Sequence, residues 1–274
     1  MKTLPSIVFI GAGKLATQLA KALYKKDFPI LQVYSRTTAS AKTLAQKLHT
    51  PFTNTLEEIN LNADIYIYAV KDDALATIIN ENPAKKGLHI HTAGSLPMSI
   101  FNDKVENFGV VYPLQTFSKE RDVVFEKIPI FIEGNTHENT IILQELFSKI
   151  SSKTQLANSE QRKRLHLSAV FVCNFVNHLY TIAEKLLSEA GLPFENLLPL
   201  IEETASKLNE LTPYEAQTGP AVRFDKNIIE NHIDTLKTMP NEQTIYKLLS
   251  ESIFRYTQQK YGQETKQAPI SEEK

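Results

Sequence analysis

The clearest chemistry in this sequence sits in its first forty residues. Ile7-Val8-Phe9-Ile10 runs straight into Gly11-Ala12-Gly13-Lys14-Leu15-Ala16, a G-x-G-x-x-A series. Helical spacing at Leu15, Ala16, Leu19 and Leu23 follows it. Strand, tight turn and helix in that order make a pyrophosphate site. Gly11 allows the turn, Gly13 lets the backbone approach the phosphates, and Ala16 keeps the helix close to the strand. The helix N-terminus adds free N–H groups and the positive end of its dipole. Gly11, Gly13, Lys14 and Leu15 are therefore predicted to hold the diphosphate of a dinucleotide. A P-loop is excluded, because Val8 stands at its required earlier glycine and Leu15 replaces the hydroxyl that would meet magnesium.

Ser35-Arg36-Thr37 comes next, after the predicted strand Ile30–Tyr34. An acid at this point would bond the ribose 2′-hydroxyl of NAD and repel the extra phosphate of NADP. The chain offers two hydroxyls and a planar guanidinium that suits a phosphate, so NADP is expected over NAD. Val70 and Lys71 end the apolar strand Asp64–Val70 and should lie beside the cofactor's riboses. Lys71 is either a phosphate neighbour or a solvated lysine. Asp72 reads as the N-cap of a helix through Ile79. The strand Leu88–His91 leads into Thr92-Ala93-Gly94-Ser95, where a nicotinamide and a substrate would meet. Gly94 is read as a cofactor contact and Ser95 as a substrate contact. His91 is either an acid–base group or a hydrogen-bonded structural residue.

The second half offers a different constellation. Gln161–Leu187 has no proline or glycine and predicts a helix of about 40 Å at 1.5 Å per residue. At 3.6 residues per turn, His166, Asn174, Asn177, His178 and Thr181 fall within an arc of about 120°. Buried polar groups need partners, so this stripe should face a cofactor cleft, a substrate, a partner subunit or another helix. His166 and Asn174 are the catalytic candidates on it. Its polar residues also argue against a membrane span, despite the apolar stretch Leu167–Leu179. The loop Tyr214–Asp225 supplies Arg223, a partner for a substrate carboxylate or a tie within the loop.

The elements that must position these residues alternate strand and helix up to Lys153–Leu156, then turn to helices alone. Further strands are predicted at Pro51–Phe52, Val110–Tyr112 and Ile128–Glu133, and a helix at His137–Ile150. That pattern gives an α/β fold, a doubly wound parallel-sheet Rossmann domain over residues 1–157, followed by an all-α domain over 158–262. Helices are expected at Leu192–Leu211, Asn227–Met239 and Gln243–Tyr261, with Gly262 as terminator. The tail 263–274 is expected to be disordered. At 274 residues, with 30 basic and 31 acidic side chains, composition suggests neither a nucleic-acid nor a membrane partner. Cys173 is the single cysteine; a reducing compartment and a cytoplasmic location are expected. There is no H-E-x-x-H, no cysteine cluster and no G-x-S-x-G elbow, so no metal or hydrolase chemistry is expected. Tyr256-Thr257-Gln258-Gln259-Lys260 has a Y-x-x-x-K spacing, but it follows the last strand and is read as coincidence.

Taken together, Gly11–Ala16, Ser35–Thr37, Ala69–Asp72, His91–Ser95, Tyr112-Pro113-Leu114-Gln115-Thr116-Phe117 and Thr218-Gly219-Pro220-Ala221-Val222-Arg223 carry a resemblance. In this order they resemble the bacterial family of NADP oxidoreductases with a Rossmann-like domain and a helical C-terminal domain of unknown function, over roughly residues 5 to 260. More distantly the layout is similar to pyrroline-5-carboxylate reductase and the β-hydroxyacid dehydrogenases. In the latter, the first long helix of the second domain carries a Lys-x-x-x-Asn pair. Asn174 matches the asparagine, whereas Val170 stands at the lysine. Tyr112 stands where the family usually shows histidine, and Phe224 where it usually shows glycine. The resemblance implies an NADP-binding fold and a homodimer formed through the helical domain. Two functions follow: an NADP(H)-dependent oxidoreductase acting on a small carbonyl, imine or hydroxy acid, or a non-catalytic NADP-binding module that senses redox state or binds a partner.

Overall fold

In the computed structural model the described residues are 4–118 and 121–267, with side chains described up to 258. The backbone divides into two compact units, Met1–Val176 and Asn177–Lys274. The change from strands to helices falls at Ala157; the units divide later, within the long helix.

The first unit is built on one eight-stranded sheet. Its strands are β1 (Ile7–Ile10), β2 (Ile30–Tyr34), β3 (Phe52–Thr53), β4 (Ile65–Tyr68), β5 (Leu88–His91), β6 (Asn107–Pro113), β7 (Ile130–Gly134) and β8 (Thr154–Leu156). They lie in the order β3-β2-β1-β4-β5-β6-β7-β8. The helices are α1 (Lys14–Tyr24), α2 (Thr38–Leu48), α3 (Asp72–Glu81) and α4 (His137–Phe147). β1, β4 and β5 are buried along their whole length, as strands covered on both faces should be. One core lies between the sheet and α1, α2 and α4, with Phe9, Leu19, Ile67 and Phe147 among its members. A second packs Val8, Tyr66, Tyr68, Ile79 and Phe101 on the other face.

β1 to β6 are parallel, but β7 pairs antiparallel with β6, and β8 follows β7 in parallel. The doubly wound reading holds with this exception. Among the described residues between Pro113 and Ile130 the chain forms only a short 3₁₀ turn at Phe125–Lys127. A parallel return usually needs a crossover helix, so the strand comes back in the opposite sense.

Two sequence expectations change locally. Asp72 does not cap α3: Lys71 is the cap residue, without a side-chain bond, and the Asp72 carboxylate accepts a hydrogen bond from the Ser95 hydroxyl instead. The long helix is also not uniform. It comprises α5 (Ser159–Ala169), a π turn (Val170–Phe175) and α6 (Val176–Glu189). Asn158 and Gln161 form a capping box at its start. A π turn closes i→i+5 bonds, so residues beyond it rotate away from the angles an unbroken α-helix would give. By length and composition alone, Ser159–Glu189 could cross a membrane.

The second unit continues with α7 (Leu198–Ser206), α8 (Pro220–Arg223), α9 (Lys226–Thr235) and α10 (Pro240–Gln267). The helix expected over Leu192–Leu211 is α7 flanked by 3₁₀ turns at Phe194–Leu197 and Lys207–Asn209. α10 runs through Gly262 rather than ending there. Of the tail expected to be disordered, 268–274 lie outside the described residues. Phe224 adopts φ 51°, in the left-handed region, where a bulky side chain is strained and glycine is not. Its ring packs 4.6 Å from that of Phe254.

Candidate functional site: a cleft at the carboxyl edge of the sheet

Strand β1 ends where the chain must turn away from the sheet, and the turn is tight. Gly11 takes φ +123°, and a β-carbon there would collide with the carbonyl of Ala69 at the end of β4. Only glycine meets both conditions. Its N–H donates to the Tyr34 carbonyl at 2.8 Å, which ties the turn to β2. Gly13 is the N-cap of α1 and makes no side-chain cap bond. A β-carbon on Gly13 would meet nothing within 4 Å. The open side of the turn thus presents the uncapped first N–H groups of α1, an anion site by geometry and dipole.

From this turn a cleft of about 570 Å³ extends along the carboxyl ends of β2, β4, β5 and β6. All ten residues expected to meet the dinucleotide line it: Gly11, Gly13, Lys14, Leu15, Ser35, Arg36, Thr37, Val70, Lys71 and Gly94. Arg36 and Lys71 are both exposed. They also line a neighbouring hollow of about 380 Å³ with Ala74, Ile78 and Glu81 of α3. His166, from α5, closes the far end beside Tyr112 of β6.

The other expected residues are placed differently. His91 is fully buried and does not line the cleft. Its Nδ1 accepts from the Ala93 N–H at 3.2 Å, its Nε2 lies 3.4 Å from the Pro97 carbonyl, and its ring stacks on Phe101. Burial, with the charge of Arg162 second, pulls its pKa down to about 3. A neutral ring with both nitrogens spent on backbone has the structural role. Ser95 is not part of the cleft lining; its hydroxyl is held on Asp72, which is. Asn174 sits in the π turn, exposed and outside the cleft lining. Arg223 belongs to the helical unit, exposed at the end of α8.

The residue that sequence reasoning missed as a site member is Tyr112. Its hydroxyl lies 2.9 Å from His166 Nδ1. The rings meet edge to face, 5.9 Å between centroids. Gly94 seats this pair: a β-carbon there would come within 2.7 Å of His166 Nδ1 and 2.8 Å of Tyr112 Cζ. Beneath it, the buried guanidinium of Arg162 pairs with Glu133 and donates to the Leu96 carbonyl at 2.6 Å. Arg162 precedes His166 by one helical turn, so this pair fixes α5 against the sheet and sets the height of the imidazole. Burial raises the Tyr112 pKa; the Arg162 charge opposes the rise and Asp72 adds to it. The departure at position 112 was visible in the sequence, but its partner 54 residues away was not. Among the described residues, no His, Cys, Asp and Glu group could hold a metal ion.

Comparison with known proteins bears on the same regions. Residues 6–91 match the family described as NADP oxidoreductase coenzyme F420-dependent. Residues 128–253 match a domain of unknown function, DUF2520. The crystal structure of a Bacteroides fragilis protein, provisionally named an NADP oxidoreductase, is 50% identical over 92% of this chain and 98% of its own, with a TM-score of 0.86. A 1-pyrroline-5-carboxylate reductase from Streptococcus pyogenes shares the fold at 15% identity and a TM-score of 0.60, covering 92% of this chain and 99% of its own. An imine reductase from Myxococcus stipitatus, solved with NADP+, does so at 14% and 0.62, covering 93% of each chain. No curated protein matches the sequence.

Proposed function

The chain belongs to the family of bacterial NADP oxidoreductases that join an NADP-binding Rossmann domain to a helical domain of unknown function, and from that premise we propose an NADPH-dependent reductase of a small carbonyl or imine. The same reaction in reverse would oxidise a hydroxy acid or amine. One observation carries the reading: the glycine turn, the Arg36 loop and the His166 wall line a single cleft.

The residues fit the cofactor. The uncapped turn at Gly13 suits the pyrophosphate, and the space beside Gly13 leaves room for it. Arg36, free of ion pairs among the described residues, suits a 2′-phosphate, with Ser35, Thr37 and Lys71 beside it. The preference for NADP over NAD rests on that arginine. When bound, the nicotinamide supplies or accepts a hydride. The protein's own contribution is chiefly orientation, holding donor and acceptor in a fixed approach. Val70 and Gly94 would bound the nicotinamide end, and His166 offers a titratable group there. Ser95, bonded to the cleft residue Asp72, is the substrate-side residue this reading keeps; Asn174 and Arg223 are outside the cleft lining. The imine and pyrroline-carboxylate reductases that share the fold favour a C=N substrate among the candidates.

A second reading, binding NADP without turnover as a redox sensor, is favoured by Val170, which occupies the position of the dehydrogenases' lysine. A single panel separates the two. NADPH oxidation should be seen with at least one class among ketoacids, imines and aldehydes. Tight NADPH binding with no turnover across the panel would establish the sensor.

A further inference from the structure

We propose that Tyr112 is the proton donor to the substrate and that His166 reprotonates it. This rests on the reductase reading above and names the acid that it leaves open.

The geometry comes from two elements. Tyr112 is the penultimate residue of β6, which runs parallel to β5, so its side chain stands at the same sheet edge as Gly94. His166 comes down from α5, and the two share a 2.9 Å contact while both line the cleft. The other polar groups at this end are already committed. The Thr92 hydroxyl donates to the Tyr68 carbonyl, and the Ser95 hydroxyl to Asp72. His91 is buried between backbone groups. Tyr112 therefore pairs a hydroxyl at the cleft wall with a titratable side chain behind it.

Glycine at position 94 strengthens the case. No other residue would let the loop lie flush on both rings, so the loop expected to meet the nicotinamide also seats the acid. The charged groups facing Tyr112 are Asp72 on α3 and Arg162 on α5. Burial outweighs the pull of Arg162 and keeps the phenol protonated at neutral pH, the form an acid requires.

The step balances as follows. Hydride adds to the electrophilic carbon, and the electrons of the C=O or C=N π bond move to oxygen or nitrogen. The Tyr112 O–H bond breaks as a new O–H or N–H bond forms on the substrate. His166 passes its Nδ1 proton to the phenolate as its Nε2 takes one from solvent, so no imidazolate forms and one solvent proton is consumed. The sum is substrate, NADPH and one proton to product and NADP+.

The test uses the full-length protein. Tyr112→Phe should lower kcat about a hundredfold or more, the usual contribution of a positioned acid, with NADPH affinity unchanged within about threefold by fluorescence titration. Tyr112→His should restore turnover, with the alkaline limb of the kcat profile moved down to about pH 6.5. His166→Gln should also lower kcat, and adding Tyr112→Phe to it should cost little more, because the two side chains act as one unit. Wild-type turnover that survives in Tyr112→Phe overturns the assignment and leaves the reductase standing. Losses that simply add in the double variant overturn the relay. NADPH binding without wild-type turnover on any substrate overturns the reductase reading, and this assignment with it.

Discussion

Arg36 shows how one residue can set cofactor choice and still be legible without a structure. Its position follows from the strand before it, and its charge needs no buried partner to be useful. A charge-assisted contact to the 2′-phosphate should be worth about 1.5–3 kcal/mol, roughly tenfold or more in affinity. Arg36→Glu should therefore raise the NADPH dissociation constant at least about tenfold and narrow or reverse the preference over NADH. Equal NADPH binding by the variant, in a fluorescence titration, would disprove the assignment. Histidines are harder to read than arginines. His91 and His166 look alike in sequence, each beside small or apolar neighbours, yet one is sealed under the loop and the other faces the cleft. Burial depends on what packs over a residue, and that is set by residues far along the chain. Tyr112 is the same problem in another form, since its partner lies on an element that periodicity alone cannot dock.

Among the elements, β5 has the most distinctive sequence. Leu88-His89-Ile90-His91 alternates apolar and polar, as if one face met water, but all four residues are buried. Leu88 and Ile90 join one core. On the other face His89 bonds the Tyr68 hydroxyl at 2.9 Å and stacks on Tyr66. Burial, the dominant cause for each, lowers the pKa of His89 to about 4 and that of His91 to about 3. An unfolded histidine titrates near about 6.5. Below that pH the unfolded chain takes up protons first, so this contribution is complete above about pH 6.5 and is lost as pH falls toward 4. The slope is at most about 1.4 kcal/mol per pH unit per histidine. The urea midpoint should thus fall between pH 7 and pH 5, and His91→Gln should show a shallower fall; an unchanged slope in that variant would rule the mechanism out. Most strands and helices of this unit were legible because each carries its own period. The antiparallel return of β7 was not, because a strand's own period says nothing of its direction. The π turn was not, because the residues that make it, Val170–Phe175, also suit an ordinary helix.

At the scale of the whole molecule, the two units differ in how they are held together. The sheet unit has two well-filled cores of its own. In the helical unit α6, α7 and α9 contain no fully buried residue. Its buried residues among those described are Ala221, Leu236, Met239, Ser250 and Thr257. Leu198, Leu200, Leu208, Leu248 and Leu249 are exposed instead, Leu200 by 63%. The amphipathic spacing that made these helices legible says that an apolar face exists; it does not say what covers it. A unit of this size with so few buried side chains lacks the core that normally offsets chain entropy, and soluble monomers rarely leave large contiguous apolar patches in water. A second copy of the chain is the expected cover, which agrees with the homodimer implied by the family resemblance. In the other unit, Leu167, Phe171 and Phe175 are also exposed, at four-residue steps. Such a step overshoots an α turn of 3.6 residues and falls short of the wider π turn, so the π turn keeps the series closer to one line. Light scattering should return twice the mass of the chain. Leu200→Lys with Leu248→Lys should shift the particle toward a monomer of lower thermal stability, with the glycine turn and its NADPH site unchanged in sequence. A wild-type protein that scatters as a monomer at micromolar concentration would refute the dimer and require another cover for the leucines.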